Sequence, residues 1–233
     1  MASLSDNRIA NALSAWDAWN HQGFIKRSER LQKIHTQIPQ ANDVRSVGLL
    51  KHLLEQAATL EQIITLPGPT GESNELYLNG RGICLVSADQ TSTYTAFLGQ
   101  TFAALVAGNA VLLHWPEEQA WCEQLARLLH QAGVPEAILQ AVSDLSLNQA
   151  LGLDHLAVIA CVLPMNRVIE INALIAKRAG LLVQMVAETD PVQCTHLLQP
   201  DHLSRFVTER TRTINTTAVG GNATLLELGS SAV

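Results

Sequence analysis

Cys194 and His196 are the residues of this 233-residue chain whose spacing most invites a chemical reading. The run Asp190-Pro191-Val192-Gln193-Cys194-Thr195-His196 sets a thiol two residues from an imidazole, and a thiol beside a general base is how a cysteine nucleophile is made. An activated thiol also needs a positive microenvironment and an oxyanion hole built around it. Closeness along the chain supplies neither, so Cys194 is expected to be a buried or incidental loop thiol. Cys84, Cys122 and Cys161 lie far from one another, with no Cys/His cluster at metal-ligand spacing, so reduced thiols and no metal site are expected. His114 reads as a surface or interface histidine. Glu72 and Glu117 read as a turn residue and a helix-start residue, because no second carboxylate is placed to share acid–base work with either. Gly220-Gly221 could cradle an anion with its amides, although a tight turn is the commoner use.

The elements that must position these residues centre on Arg81 to Val142. Ile83 to Val86 and Val111 to Leu113 are short apolar runs of the kind that form strands buried on both faces. Between them Leu98, Phe102, Leu105 and Val106 recur at helical spacing, and Gly108 supplies the left-handed stop. Pro116 suits the first position of a second helix, whose apolar stripe is Trp121, Leu125, Leu128 and Leu129, ending at Gly133 and Pro135. Ile138 to Val142 reads as a third strand. Strands joined by helices of this length lie parallel in one sheet, so the fold class is α/β with a Rossmann-like parallel sheet.

Around that centre, residues 1–65 read as an N-terminal helical segment. Ile9, Ala12, Leu13, Trp16 and Trp19 mark a first helix ending near Gly23, Leu31, Ile34 and Ile38 a second, and Val47, Leu50, Leu54 and Ala57 a third. Residues 66–80 read as a Pro/Gly-rich linker with a short strand from Asn74 to Leu78 and a turn at Asn79-Gly80. The Rossmann-like domain spans 81–190, taking in a buried strand from Leu156 to Val162, a helix from Met165 to Ala179 stopped by Gly180, and a strand from Leu181 to Val186. Residues 191–233 read as a β-arm, with Phe206 to Ile214 an exposed, unpaired strand, followed by a Gly-Gly motif and apolar Leu225, Leu226 and Leu228.

A net charge of −6 leaves no basic excess to attract phosphates, which argues against nucleic acid or an acidic membrane as partner. Hydrophobic content of 47% with 15% charged residues fits a folded domain with much covered surface. No apolar run is long enough to cross a bilayer and no cleavable signal is seen, so a soluble cytoplasmic protein is expected.

Ala107-Gly108-Asn109-Ala110-Val111-Leu112-Leu113, then Pro116-Glu117-Glu118-Gln119, then Gln131-Ala132-Gly133-Val134-Pro135, resembles the aldehyde dehydrogenase pattern through its cofactor domain. More narrowly, Leu66 to Glu72 and Asn215 to Ala223 are similar to the C-terminal region of proline utilization A. That family joins proline dehydrogenase to L-glutamate-γ-semialdehyde (1-pyrroline-5-carboxylate) dehydrogenase. Its longer forms end in an aldehyde-dehydrogenase-like domain without the catalytic part. The resemblance covers at least residues 66 to 229.

Departures from the pattern carry the functional expectation. Where the family has a lysine that helps hold the adenosine ribose, this chain has His114, while Glu117 remains. Where the family has a Gly-Ser turn near the pyrophosphate, this chain has Val162-Leu163-Pro164, with no glycine for close backbone approach. A catalytic domain with its cysteine should fall between Val186 and Phe206, and about twenty residues cannot hold a domain. The resemblance therefore implies a non-catalytic domain with no cofactor of its own, NAD and FAD belonging to the family's active domains. Its expected contact residues are Asn215, Thr216, Thr217, Gly220, Gly221 and Asn222, set against the active aldehyde dehydrogenase unit of the same or a neighbouring chain. There it would help enclose the path of the semialdehyde. Self-association through an arm at 203–214 is also expected. The rival is an autonomous NAD-binding, aldehyde-dehydrogenase-like oxidoreductase.

Overall fold

Three largely apolar runs become the buried centre of a five-stranded parallel sheet. They are β3 (Ile83–Ala88), β4 (Ala110–His114) and β6 (Leu156–Val162), and every residue in them is buried. The computed structural model describes residues 4–142 and 144–216. Two shorter strands, β5 (Leu139–Ala141) and β7 (Gln184–Glu188), complete the sheet, in the order β5-β4-β3-β6-β7. All four pairings are parallel, with Leu85 opposite Leu112 on one side and Ile159 on the other.

The connections follow from that order. From β3 the chain runs outward through α4 (Tyr94–Val106) to β4 and through α5 (Gln119–Gln131) to β5. It then returns past the starting strand, through the short α6 (Leu147–Leu151), to β6, and through α7 (Met165–Ile175) to β7. The strand order reverses between β3 and β6, and such a reversal opens a crevice at the carboxyl ends of the strands, where ligands bind in open α/β sheets.

α4 is buried at every position from Ala96 to Val106, which requires cover on both sides. The sheet provides one side. α2 (Gly23–Gln32) and α3 (Val44–Ala57) provide the other, and they follow α1 (Leu4–Asn20). The last carbonyls of α4 are satisfied by these helices: Trp19 donates to Leu105 (3.1 Å), Arg27 Nε to Val106 (2.8 Å) and Trp16 to the Gly108 carbonyl (2.8 Å). The chain leaves α4 at Gly108 with φ +93°, where a side chain would collide with Asn20 and Arg27. Asn109 then accepts from the amides of Arg81 and Gly82 and donates to the carbonyls of Ala104 and Phe206. The Gly-Asn pair of the sequence pattern is thus a structural fastening.

The chain divides into two compact units, one of residues up to Glu61 with Asn79–Thr208 and one of Gln62–Leu78 with Glu209 onward. The second unit is built on a three-stranded sheet ordered β1 (Ile64–Leu66), β2 (Glu72–Gly80), β8 (Val207–Asn215). β1 and β2 pair antiparallel, Ile64 opposite Leu76, so the Pro67–Gly71 stretch is a hairpin connection. Arg212 pairs with Glu75, and Thr213 bonds Asn74 at 2.6 Å.

Several expectations need correction. β8 is exposed over most of its length but is paired with β2, not unpaired. Asn79-Gly80 is no turn; it ends β2, and Gly80 is needed because a Cβ there would sit 2.5 Å from the Gly108 backbone. Gly23 begins α2 instead of ending α1, and α2 stops at Gln32, so buried Ile34 and Ile38 lie in the turns that follow. Pro116 opens a 3-10 turn ahead of α5. α7 ends at Ile175, short of Ala179. The last strand starts at Gln184, and Leu181 and Leu182 are exposed ahead of it.

Candidate functional site

The crevice between β3 and β6 is where a dinucleotide would be sought, its phosphates on the N-terminus of α4 and its adenosine at the end of β4. The loop into α4 is Asp89-Gln90-Thr91-Ser92-Thr93, which has no glycine. Its side chains bond amides of the loop and of the helix start. Asp89 accepts from the amide and hydroxyl of Thr91, and Thr93 Oγ1 accepts from the Ala96 amide as the N-cap. The Thr93 hydroxyl donates in turn to the Pro191 carbonyl at 2.9 Å, and Arg45 donates to the Val192 carbonyl, so the loop after β7 lies against the helix end.

At the end of β4, His114 is buried, which corrects its reading as a surface histidine. Its Nε2 faces the Leu145 carbonyl at 3.2 Å and must carry the hydrogen, which leaves Nδ1 to accept from the Ser87 hydroxyl at 3.1 Å. Burial lowers its pKa, so the ring is held neutral. Trp115, next in sequence, is buried against Tyr94 and Phe97 at ring-centroid distances of 5.3 and 5.0 Å. Glu117 is exposed in the 3-10 turn. Across the crevice Val162 and Leu163 are buried and Pro164 caps α7, while the Leu163 amide is spent on the Glu188 carbonyl. The crevice thus presents a buried neutral histidine, a carboxylate on the loop into α4 and a helix N-terminus capped by Thr93.

The loop after β7 is organised by Glu188, which is fully buried. One carboxylate oxygen accepts from the amides of His196 (2.8 Å) and Leu197 (3.0 Å), the other from the Asp190 amide (2.8 Å) and the His196 ring (3.1 Å). Charge-assisted bonds to backbone amides are among the stronger ones available to a buried carboxylate. They fold residues 189–197 into a tight knot. Cys194 sits inside that knot at φ +55° with its thiol directed at the Pro191 carbonyl. Burial first, and then Glu188, push its pKa up to about 11, the reverse of what a nucleophile requires. The His196 ring serves Glu188. Cys84, Cys122 and Cys161 are buried, and burial raises all three thiols. Among the described residues no cluster of metal-ligating side chains is present, and no helix is long and apolar enough to cross a membrane.

The structure brings His114, Val162, Leu163 and Pro164 to the carboxyl ends of β4 and β6, the two strands that flank β3 in one sheet. Asn215 ends β8 and Thr216 follows it, its amide on the Gly71 carbonyl at 2.7 Å. Thr217, Gly220, Gly221 and Asn222, with Leu225, Leu226 and Leu228, lie outside the described residues. Sequence reasoning missed Glu188, Thr93 and Asn109. Glu188 carried one signal, a charge set directly behind an apolar run.

No protein-family model matches this sequence, and no curated protein matches it. Solved structures do. A proline utilization A from Bradyrhizobium japonicum is 23% identical, with TM-score 0.65 over 79% of this chain and 22% of its own. The proline utilization A of Bdellovibrio bacteriovorus is 17% identical, with TM-score 0.64 over 81% of this chain and 23% of its own. An NAD-dependent benzaldehyde dehydrogenase from Corynebacterium glutamicum is 17% identical, with TM-score 0.57 over 80% of this chain and 47% of its own. The likeness is one of fold, and the chain spans about a fifth of the length of the proline utilization A chains it matches (22%).

Proposed function

We propose that this Rossmann-like, aldehyde-dehydrogenase-type fold serves as a non-catalytic domain of a proline-catabolising protein of the proline utilization A kind. It works by contact with the active aldehyde dehydrogenase unit of the same or a neighbouring chain, stabilising the assembly and helping to enclose the path of the semialdehyde. Its docking elements are the β8 arm and the segment from Asn215 to Asn222. The observation that supports this reading is the connection from β7 to β8. An aldehyde dehydrogenase places its catalytic domain there, whereas here residues 189–206 wind around Glu188 and rest on the N-cap of α4. The same loop bonds the N-cap of the helix end that would face a pyrophosphate.

The direct test is NADH formation by the purified chain supplied with NAD and glutamate γ-semialdehyde. No turnover above background is expected. Turnover that survives repurification and vanishes in Cys194→Ala would establish the autonomous oxidoreductase instead. Calorimetry supplies a second readout. A lost charged partner and a lost close backbone contact are each worth about 1–3 kcal/mol, enough together to move a micromolar dinucleotide site to roughly millimolar. A low-micromolar dissociation constant for NAD contradicts the proposal.

A further inference from the structure

β7 is the last strand of the parallel sheet, so one of its edges faces no other strand among the described residues. Beside that edge lies a groove of about 380 Å³, within the size range of small-molecule sites. Its apolar wall is Met165, Val168 and Ile169 of α7 with Ala187 of β7. Met165 and Ile169 are 56% and 62% exposed, on a helix whose Val168, Ile171 and Ile175 are buried. Its polar groups come from different elements: Arg205, His196, Thr189 and Asn172.

The polar side of the groove suits an anion. The Arg205 guanidinium is held in place by one bond, from Nη2 to the Met185 carbonyl at 3.0 Å. A guanidinium has five N–H donors, so most of its fork is left for another acceptor. The His196 ring is fixed through Nδ1 on Glu188, and 44% of its side chain is exposed. The nearby negative charge, Glu188, is fully buried and spent on three backbone amides and that same ring. A donor fork, a hydroxyl and an amide thus stand at the polar side of a groove whose other side is apolar.

An added β-strand is the competing occupant of an open sheet edge, since exposed edges accept extended peptides through main-chain bonds. Here the Met185 carbonyl that such a strand would need is already taken by Arg205. The volume and the single cationic fork suit a small molecule with one carboxylate and a short aliphatic body.

We infer that the groove between α7 and β7 is a binding site for a short aliphatic carboxylate, held by the Arg205 fork with its carbon chain against Met165 and Ile169. This site is separate from the β3/β6 crevice and does not depend on the function proposed above.

The test is a titration of the full chain with isovalerate, followed by amide and methyl NMR shifts, with isovaleramide as the neutral control. Isovalerate should bind in the millimolar range or tighter and move the resonances of Ala187, Thr189, His196 and Ile169, while the amide binds at least tenfold more weakly. Arg205→Met should abolish binding. Because Arg205 also supports the loop, Ile169→Trp provides a second test: it fills the groove from an exposed helix position and touches none of the polar groups. It too should abolish binding in a protein whose spectrum is otherwise unchanged. Shifts of equal size with acid and amide, or binding that survives Ile169→Trp, would overturn the assignment, as would no saturable shift up to about 20 mM, some 2 kcal/mol short of millimolar strength.

Discussion

His202 shows how one buried side chain sets a pH limit on this fold. It is 1% exposed, lies edge-on to Phe206 at 5.3 Å, and its Nε2 has no hydrogen-bond partner among the described residues. Burial, and then the positive charge of Arg205, lower its pKa from 6.5 to about 4. Above pH 6.5 the folded and unfolded states both hold a neutral ring, and its contribution to stability is fully present. As the pH falls from there toward 4, the unfolded chain takes up a proton that the folded chain refuses, and the contribution is lost. The full loss is about 3 kcal/mol. His202→Phe keeps a ring against Phe206 and removes the titration. Urea unfolding at a series of pH values should therefore show a shallower acid limb in that variant than in the parent. Parallel limbs would mean that His202 does not titrate on unfolding.

At the level of elements, the junction of α1, α2 and α4 depends on a buried cation with no carboxylate bonded to it. Arg27 donates to the carbonyls of Trp19 (3.0 Å), Asn20 (2.9 Å) and Val106 (2.8 Å), closing the ends of two helices at once, and lies over the Phe24 ring at 4.7 Å. Helix C-termini carry partial negative charge, which suits a guanidinium there. Desolvation lowers its pKa only to about 10, so it remains charged at neutral pH. Arg27→Met would leave the Asn20 and Val106 carbonyls without a donor and the Trp19 carbonyl with the Gln22 amide at 3.4 Å. The expected loss is about 3 kcal/mol or more, read as a lower denaturant midpoint with an unchanged slope. A loss below about 1 kcal/mol would mean that water replaces the guanidinium.

For the whole molecule, the prediction concerns the arm. β8 is an edge strand of a three-stranded sheet with little buried surface, and an exposed edge of this kind is ordinarily paired or covered in an assembly. The chain is expected to self-associate through it, most simply as a two-fold dimer. A truncation that tests this must spare Phe206 and Val207, which are buried, and the Phe206 carbonyl, which receives the Asn109 amide. Cutting after Thr208 meets that condition. Sedimentation at tens of micromolar should show a dimer for the full chain and a monomer for the truncated one. Monomers in both would remove the arm as an oligomerisation element.

The sequence by itself determined the strands β3, β4 and β6, because a strand covered on both faces must be largely apolar whichever elements cover it. It also determined where the chain turns. Gly108, Gly133 and Gly180 all adopt positive φ, a requirement of the local backbone that no distant contact alters. The Rossmann-like likeness to aldehyde dehydrogenases was legible for the same reason, since its motifs are runs of neighbours. Tertiary structure alone decided the candidate site. Ser87 meets His114 across 27 residues, Thr93 meets Pro191 across 98, and Asn109 meets Phe206 across 97. Spacing along a chain carries no record of such meetings. His114 therefore read as a surface residue, and Leu181 and Leu182 read as strand although they are exposed. Glu188 read as nothing in particular, yet its burial closes the loop, because the amides that make burial tolerable belong to residues folded back onto it.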